Sequence, residues 1–183
     1  MNSVQKGFNR TFIQTLIVVM GIGLLGCQPG PESPPMPSPV VPSSKVRMTP
    51  NAELVHPGAV FNRTIEVENV ENTYYAAFDI TYDPSVVEYV NASEGSFLNQ
   101  NGSAPTLFGA ALVNETQGRI KIGITRLGQI GEVSGMGIVV TLSFKAVRSG
   151  TTTIAFANPK ALRNLSDRDV VVQTWGDVTV TVQ

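Results

Sequence analysis

The stretch FDITYDPSVVEYV, residues 78–90, decides the fold. Phe78, Ile80 and Tyr82 alternate with Asp79, Thr81 and Asp83. That two-residue period belongs to a strand with one buried and one outward face. Asp83-Pro84 then interrupts the run, because proline fixes φ and removes a backbone donor. A second apolar run begins within three residues.

The same pattern extends in both directions. Strands are predicted near 46–49, 53–55, 59–68, 75–82, 86–91, 107–113, 119–126, 137–147, 151–156, 170–173 and 176–182. In GIVVTLSFKA, the alternation puts Ile138, Val140, Leu142, Phe144 and Ala146 on one inward face. RIKIGIT buries Ile120, Ile122 and Ile124, and GDVTVTVQ buries Val178, Val180 and Val182. Turn pairs separate the runs: Asp83-Pro84, Asn101-Gly102, Gln117-Gly118, Ser134-Gly135 and Ser149-Gly150. Residues 92–106, rich in Asn, Ser and Gly, read as a long exposed loop. No segment keeps a 3.6-residue period for two turns, so the expected class is all-β, a sandwich of two sheets.

Composition bounds the function. With 183 residues, 42% of them hydrophobic, the chain can build one domain with a real core. A net charge of −1 gives no electrostatic footprint for nucleic acid. The single cysteine, Cys27, excludes an intrachain disulfide, and with the single histidine, His56, it excludes a Cys/His zinc site. His56 precedes Pro57 at the start of the folded region and reads as an exposed loop residue, not a catalytic base. A glycosidase needs two carboxylates flanking a cleft. Glu88, Glu94, Asp167 and Asp169 lie in turns or alternate with apolar residues, so no motif supports catalysis. SDRD (166–169) reads as a solvated turn, with loop calcium binding as the weaker reading.

The N-terminus reads as an address. Lys6 and Arg10 precede FIQTLIVVMGIGLL (12–25), an apolar run short of the ~20 residues of a spanning helix. LLGC (24–27) follows and resembles the bacterial lipobox, which implies cleavage before Cys27 and lipid attachment to it. Residues 1–27 are therefore expected to be a lipoprotein signal peptide. Residues 28–45 are expected to be a linker, since QPGPESPPMPSPVVPSS holds seven prolines and favours extended polyproline II. It would hold a domain at 46–183 roughly 50 Å from a lipid surface. The membrane is expected to be met through the N-terminal lipid only. The expected location is the bacterial cell envelope, extracytoplasmic, and Gln28 after the cysteine favours the outer membrane where there are two.

VENVENTYYAAFDITYDPSVVEYVNASEGSFL, followed in order by GRIKIGITRLG, VSGMGIVVTLSFKA and GTTTIAF, resembles a bacterial cohesin domain over roughly residues 46–183. The resemblance implies a jelly-roll β-sandwich of about nine strands. It implies a non-catalytic module that binds dockerins, small helical domains that carry their own calcium, in systems that degrade extracellular polysaccharide. No cofactor is expected in this chain. The implied contact is an outer sheet face that includes the opening strand. By alternation, Tyr75, Ala77, Asp79 and Thr81 point outward there, with Lys121, Gly123 and Thr125 outward on another strand. Asp79 and Lys121 are expected to hydrogen-bond the partner, and Tyr75 to add aromatic area. The resemblance departs at Tyr75 and Ala77, where many cellulosomal cohesins carry Asn and Asp.

The alternative is direct polysaccharide binding, as in related carbohydrate-binding modules. That use needs exposed planar aromatics. The candidates are Tyr74, Tyr75 and Trp175, although adjacent tyrosines on a strand face opposite ways and Trp175 could instead plug the core.

Overall fold

A computed structural model describes residues 43–114 and 116–183. The signal segment, Cys27 and the proline-rich run through residue 42 lie outside the described residues. Twelve strands and one helical turn follow in order: β1 Lys45–Thr49, β2 Ala52–Val55, β3 Val60–Thr73, β4 Tyr75–Thr81, β5 Val87–Glu94, α1 Ser96–Asn99, β6 Thr106–Asn114, β7 Arg119–Arg126, β8 Val133–Ala146, β9 Gly150–Arg163, β10 Asp169–Val170, β11 Thr174–Gly176 and β12 Val178–Val182. They form two sheets. The first runs β11-β1-β3-β8-β5, and the second β2-β12-β9-β4-β7-β6 with β10 added beside β9. This is the all-β sandwich that the alternation predicts. Among the described residues it has twelve strands instead of about nine, because β2, β10 and β11 are short pieces of four, two and three residues on the margins of longer ladders.

The sheets bury one core between them. Phe78 and Ile80 of β4 and Ile120, Ile122 and Ile124 of β7 are buried, as are Ile65, Leu142 and Phe144 of the first sheet. Burying each such side chain fully contributes about 1.5–3 kcal/mol relative to leaving it exposed. Phe144 gathers Phe61, Tyr82 and Tyr89 around it at centroid distances of 5.9, 5.3 and 6.2 Å.

Three departures from the sequence reading have local causes. Val139 and Val140 are both buried, whereas Ile138 is 38% exposed. The β3–β8 register steps from Ile65↔Val140 to Glu66↔Ile138, so Val139 is an extra residue and the alternation changes phase there. β3 does not end at 68 but runs on to Thr73, past register shifts at Val67/Val70 and Val70/Thr73. Asn69 and Asn72 absorb those shifts in left-handed backbone, at φ 51° and 50°. The expected loop 92–106 is partly ordered and partly buried. β5 continues to Glu94, and α1 drives Phe97 and Leu98 into the core. Arg126, itself buried, fastens that turn by donating to the Leu98 carbonyl and, at 3.1 Å, to Gln100 Oε1.

Arg63 was not anticipated as a core residue. Alternation on β3 turns it inward, and it is fully buried. Its Nη1 meets Glu53 Oε2 of the opposite sheet at 2.5 Å, and its guanidinium lies 4.8 Å from the Phe61 ring centre. Such a pair ties the sheets together because a lone buried charge is far costlier than a paired one.

Candidate functional site

β4 and β7 place the predicted patch. Antiparallel pairing sets Tyr75 opposite Thr125, Ala77 opposite Gly123 and Asp79 opposite Lys121, with Thr81 opposite Arg119. All seven predicted residues thus lie on the outer face of the second sheet. The flanking strands complete four rows across it. Arg163, Tyr75, Thr125 and Leu107 form the first row, and Ala161, Ala77, Gly123 and Gly109 the second. Ala157, Asp79, Lys121 and Ala111 form the third. Ala155, Thr81 and Arg119 begin the fourth.

The middle of this face is low. Every residue of the second row is Gly or Ala. A shallow groove of about 470 Å³ opens there, bordered by Tyr75, Lys121 and Pro159. Gly109 and Gly123 are cross-strand partners. Neither has a left-handed φ, and a Cβ built on either meets nothing within 4 Å. Gly118 is different: its φ is +58°, and a Cβ there would collide with the Tyr82 carbonyl. The fold needs glycine at 118 and does not need it at 109 or 123. Glycine inside a strand weakens it and often marks a place where another backbone approaches closely.

Asp79 corrects an expectation. It lies on the outer side of β4, yet it is only 3% exposed. Arg119 Nε donates to its Oδ2 at 2.7 Å, and Nη2 lies 2.5 Å from the same oxygen. Arg119 Nη2 also donates to the Asn158 carbonyl at 2.6 Å. The β4–β9 register shifts at this point, between Phe78/Lys160 and Asp79/Ala157, so residues 158–159 bulge out of the ladder. Arg119 pins that bulge, which makes Pro159 a wall of the groove. Asp79 is therefore held by Arg119 through Oδ2, as a nearly buried strut in the wall of the groove. The Thr125 hydroxyl donates to the Arg126 carbonyl at 3.2 Å, so it too is engaged locally. Lys121 is exposed, and among the described residues it has no ion-pair partner.

The aromatic alternative does not assemble. Tyr75 lies on the outer face, but Trp175 packs edge-on against the buried rings Phe156 and Phe78, at centroid distances of 5.0 and 6.3 Å. Lys160 caps it at 5.5 Å. Trp175 is thus half-buried, packed edge-on against the core instead of standing free on a sheet face. Tyr74 sits between β3 and β4 and donates its hydroxyl to the Gly128 carbonyl at 3.0 Å. The SDRD turn is an Asx-type turn in which Asn164 Oδ1 accepts from the Ser166 and Arg168 amides. Asp167 and Asp169 both turn to Arg163, at 2.8 and 3.2 Å. Hydrogen bonding to Asp167 raises the Arg163 pKa above its ordinary value, so a cation already sits between these carboxylates. His56 is exposed, with Nδ1 2.8 Å from the Gln183 carbonyl oxygen.

Sequence reasoning missed Gly109, Ala111, Ala157, Ala161, Arg119 and Pro159. The glycine inside the run LFGAAL was a usable signal, because strands avoid it. The role of Arg119 depends on a bulge that no local pattern encodes.

Two packed sheets with a broad open face of small residues define a β-sandwich module with a surface platform. The chain belongs to the cohesin domain family, whose signature it matches over residues 46–182. Cell surface glycoprotein 1 of Acetivibrio thermocellus is 24% identical over 172 residues, which span 80% of this chain and only 7% of that protein. A non-cellulosomal cohesin from the hyperthermophilic archaeon Archaeoglobus fulgidus has a similar fold, with TM-score 0.62 at 19% identity, covering 78% of this chain and 92% of that one. So does the sixth cohesin of Acetivibrio cellulolyticus scaffoldin B, solved in complex with a mutant Cel5 dockerin. Its TM-score is 0.62 at 16% identity, covering 78% of this chain and all of that one.

Proposed function

We propose that this domain is a non-catalytic docking module that captures a dockerin-bearing protein on the outer face of β9, β4, β7 and β6. The observation that carries this reading is the paired Gly109–Gly123 floor, where the free domain gains nothing from glycine. A partner whose backbone lies close to the sheet would account for it. The dimensions support a helix. Four strands at about 4.8 Å spacing span ~14 Å, the length of about nine helical residues. Along the strands, the first and fourth rows stand about 20 Å apart, wider than the 10–12 Å of a helix with its side chains.

On this reading the chemistry belongs to the partner, and a link to extracellular polysaccharide degradation follows from the kind of protein that carries dockerins. The lipobox-like LLGC and the proline-rich spacer support a lipid-anchored, extracytoplasmic placement with Cys27 as the attachment site. A pull-down with the full chain against a panel of dockerin modules, with insoluble polysaccharides in parallel, tests the function. Capture of a dockerin that is lost on chelating calcium is the expected result. Retention on polysaccharide with no dockerin captured would overturn it. Labelling with a fatty-acid probe, lost in Cys27→Ala, tests the anchor.

A further inference from the structure

Among the described residues, the exposed Lys121 lines the groove without an ion-pair partner. Lys121 rises from the third row, between Asp79 and Ala111 of the neighbouring strands. Its cross-strand neighbour is Asp79, but that carboxylate is paired with Arg119, which takes Oδ2 with both Nε and Nη2. The small residues Ala77, Gly123 and Ala111 around Lys121 offer no acceptor side chain. Free in water, the ammonium is well solvated. A helix laid across the groove would cover it, and covering a cation without an anion is expensive.

We infer that the partner helix carries a carboxylate side chain, Asp or Glu, at the position that lands over Lys121, and that this pair selects among partners. The inference rests on the docking face proposed above. It adds the sign of the charge that the occupant must bring. The Asp79–Arg119 pair carries no net charge, so the unpaired cation that sets the sign is Lys121. A partner with Lys or Arg at that position would set two cations together in a drying interface and be rejected, which is how charged groups give specificity.

The test is a display library built on a calcium-loaded dockerin module, with the exposed helix positions randomised, selected in parallel against the full chain and against Lys121→Glu. The expected result has three parts. Binders to the native chain are enriched in Asp or Glu at one helix position. Binders to Lys121→Glu carry Lys or Arg at that same position. Each class loses at least tenfold affinity for the other chain. If binders lost on Ala77→Arg show no charge preference at any position, the face takes a helix and the inference about Lys121 is wrong. If Ala77→Arg leaves all binders unaffected, or no binders emerge, the docking face itself is refuted.

Discussion

Replacing Gly109 and Gly123 with alanine should make the free domain more stable and the complex weaker. Both glycines lie in strand interiors with ordinary backbone and open space above them. Relative to alanine, such a glycine costs roughly 0.5–1 kcal/mol. The double variant should gain about 1–2 kcal/mol, with some departure from additivity because the two residues face each other. For a domain of this size that is a rise in melting temperature on the order of 3–8 °C. The same two methyl groups raise the floor of the groove under a docked helix, and overpacking of that kind costs about 1–3 kcal/mol. Affinity for a captured dockerin should therefore fall roughly tenfold. Differential scanning calorimetry and titration calorimetry on the same preparations read both numbers. Loss of stability in the free domain would show that the fold itself requires the glycines. Unchanged affinity would show that no partner reaches the floor. Either result refutes the reasoning.

Other perturbations separate surface from scaffold. Ala77→Arg, at the centre of the second row, should abolish dockerin capture while shifting the melting temperature by no more than a few degrees, as measured by pull-down and thermal scan. Glu53→Ala should leave the fully buried Arg63 guanidinium without its carboxylate, keeping only the Asn62 carbonyl and the Phe61 ring, and cost on the order of 2–3 kcal/mol in urea denaturation, less than for a wholly buried pair because Glu53 is itself 35% exposed. Hydrogen bonds from the side chain and backbone of Ser85 hold the Asp83 carboxyl below its usual pKa. A lowered folded-state value adds stability above the unfolded pKa of about 3.9, and that stability is lost as pH falls through the folded value. Asp83→Asn should therefore lose less stability than the native chain between pH 6 and pH 2, as followed by denaturant midpoints.

Alternation made the sheet faces legible where strands keep regular register. Phe78, Ile80, Ile120, Ile122, Ile124, Val178, Val180 and Val182 are all buried as their spacing predicts. It misled where one extra residue enters a ladder. Val139 inverts the phase of β8, and the sequence VVTLSF carries no mark of the bulge. Phe97 and Leu98 were hidden because two apolar residues in a polar stretch have no period to detect. The face itself was legible from β4 and β7, since every second residue must point outward. Which polar groups on it remain free was not, because that depends on neighbours distant in sequence. Asp79 and Arg119 are 40 residues apart, and only the folded register seats one under the other. Arg63 was lost for the same reason, since its partner Glu53 lies on the opposite sheet.

The central claim is where the partner sits. Hydrogen–deuterium exchange on the full chain, alone and saturated with a captured dockerin, measures that directly. The account predicts slowed exchange in residues 75–81, 107–111 and 119–125, with the outer face of β1 and β3 unchanged. Protection confined to β1, β3 and β8, with the Gly109–Gly123 floor exchanging as in the free chain, would contradict it.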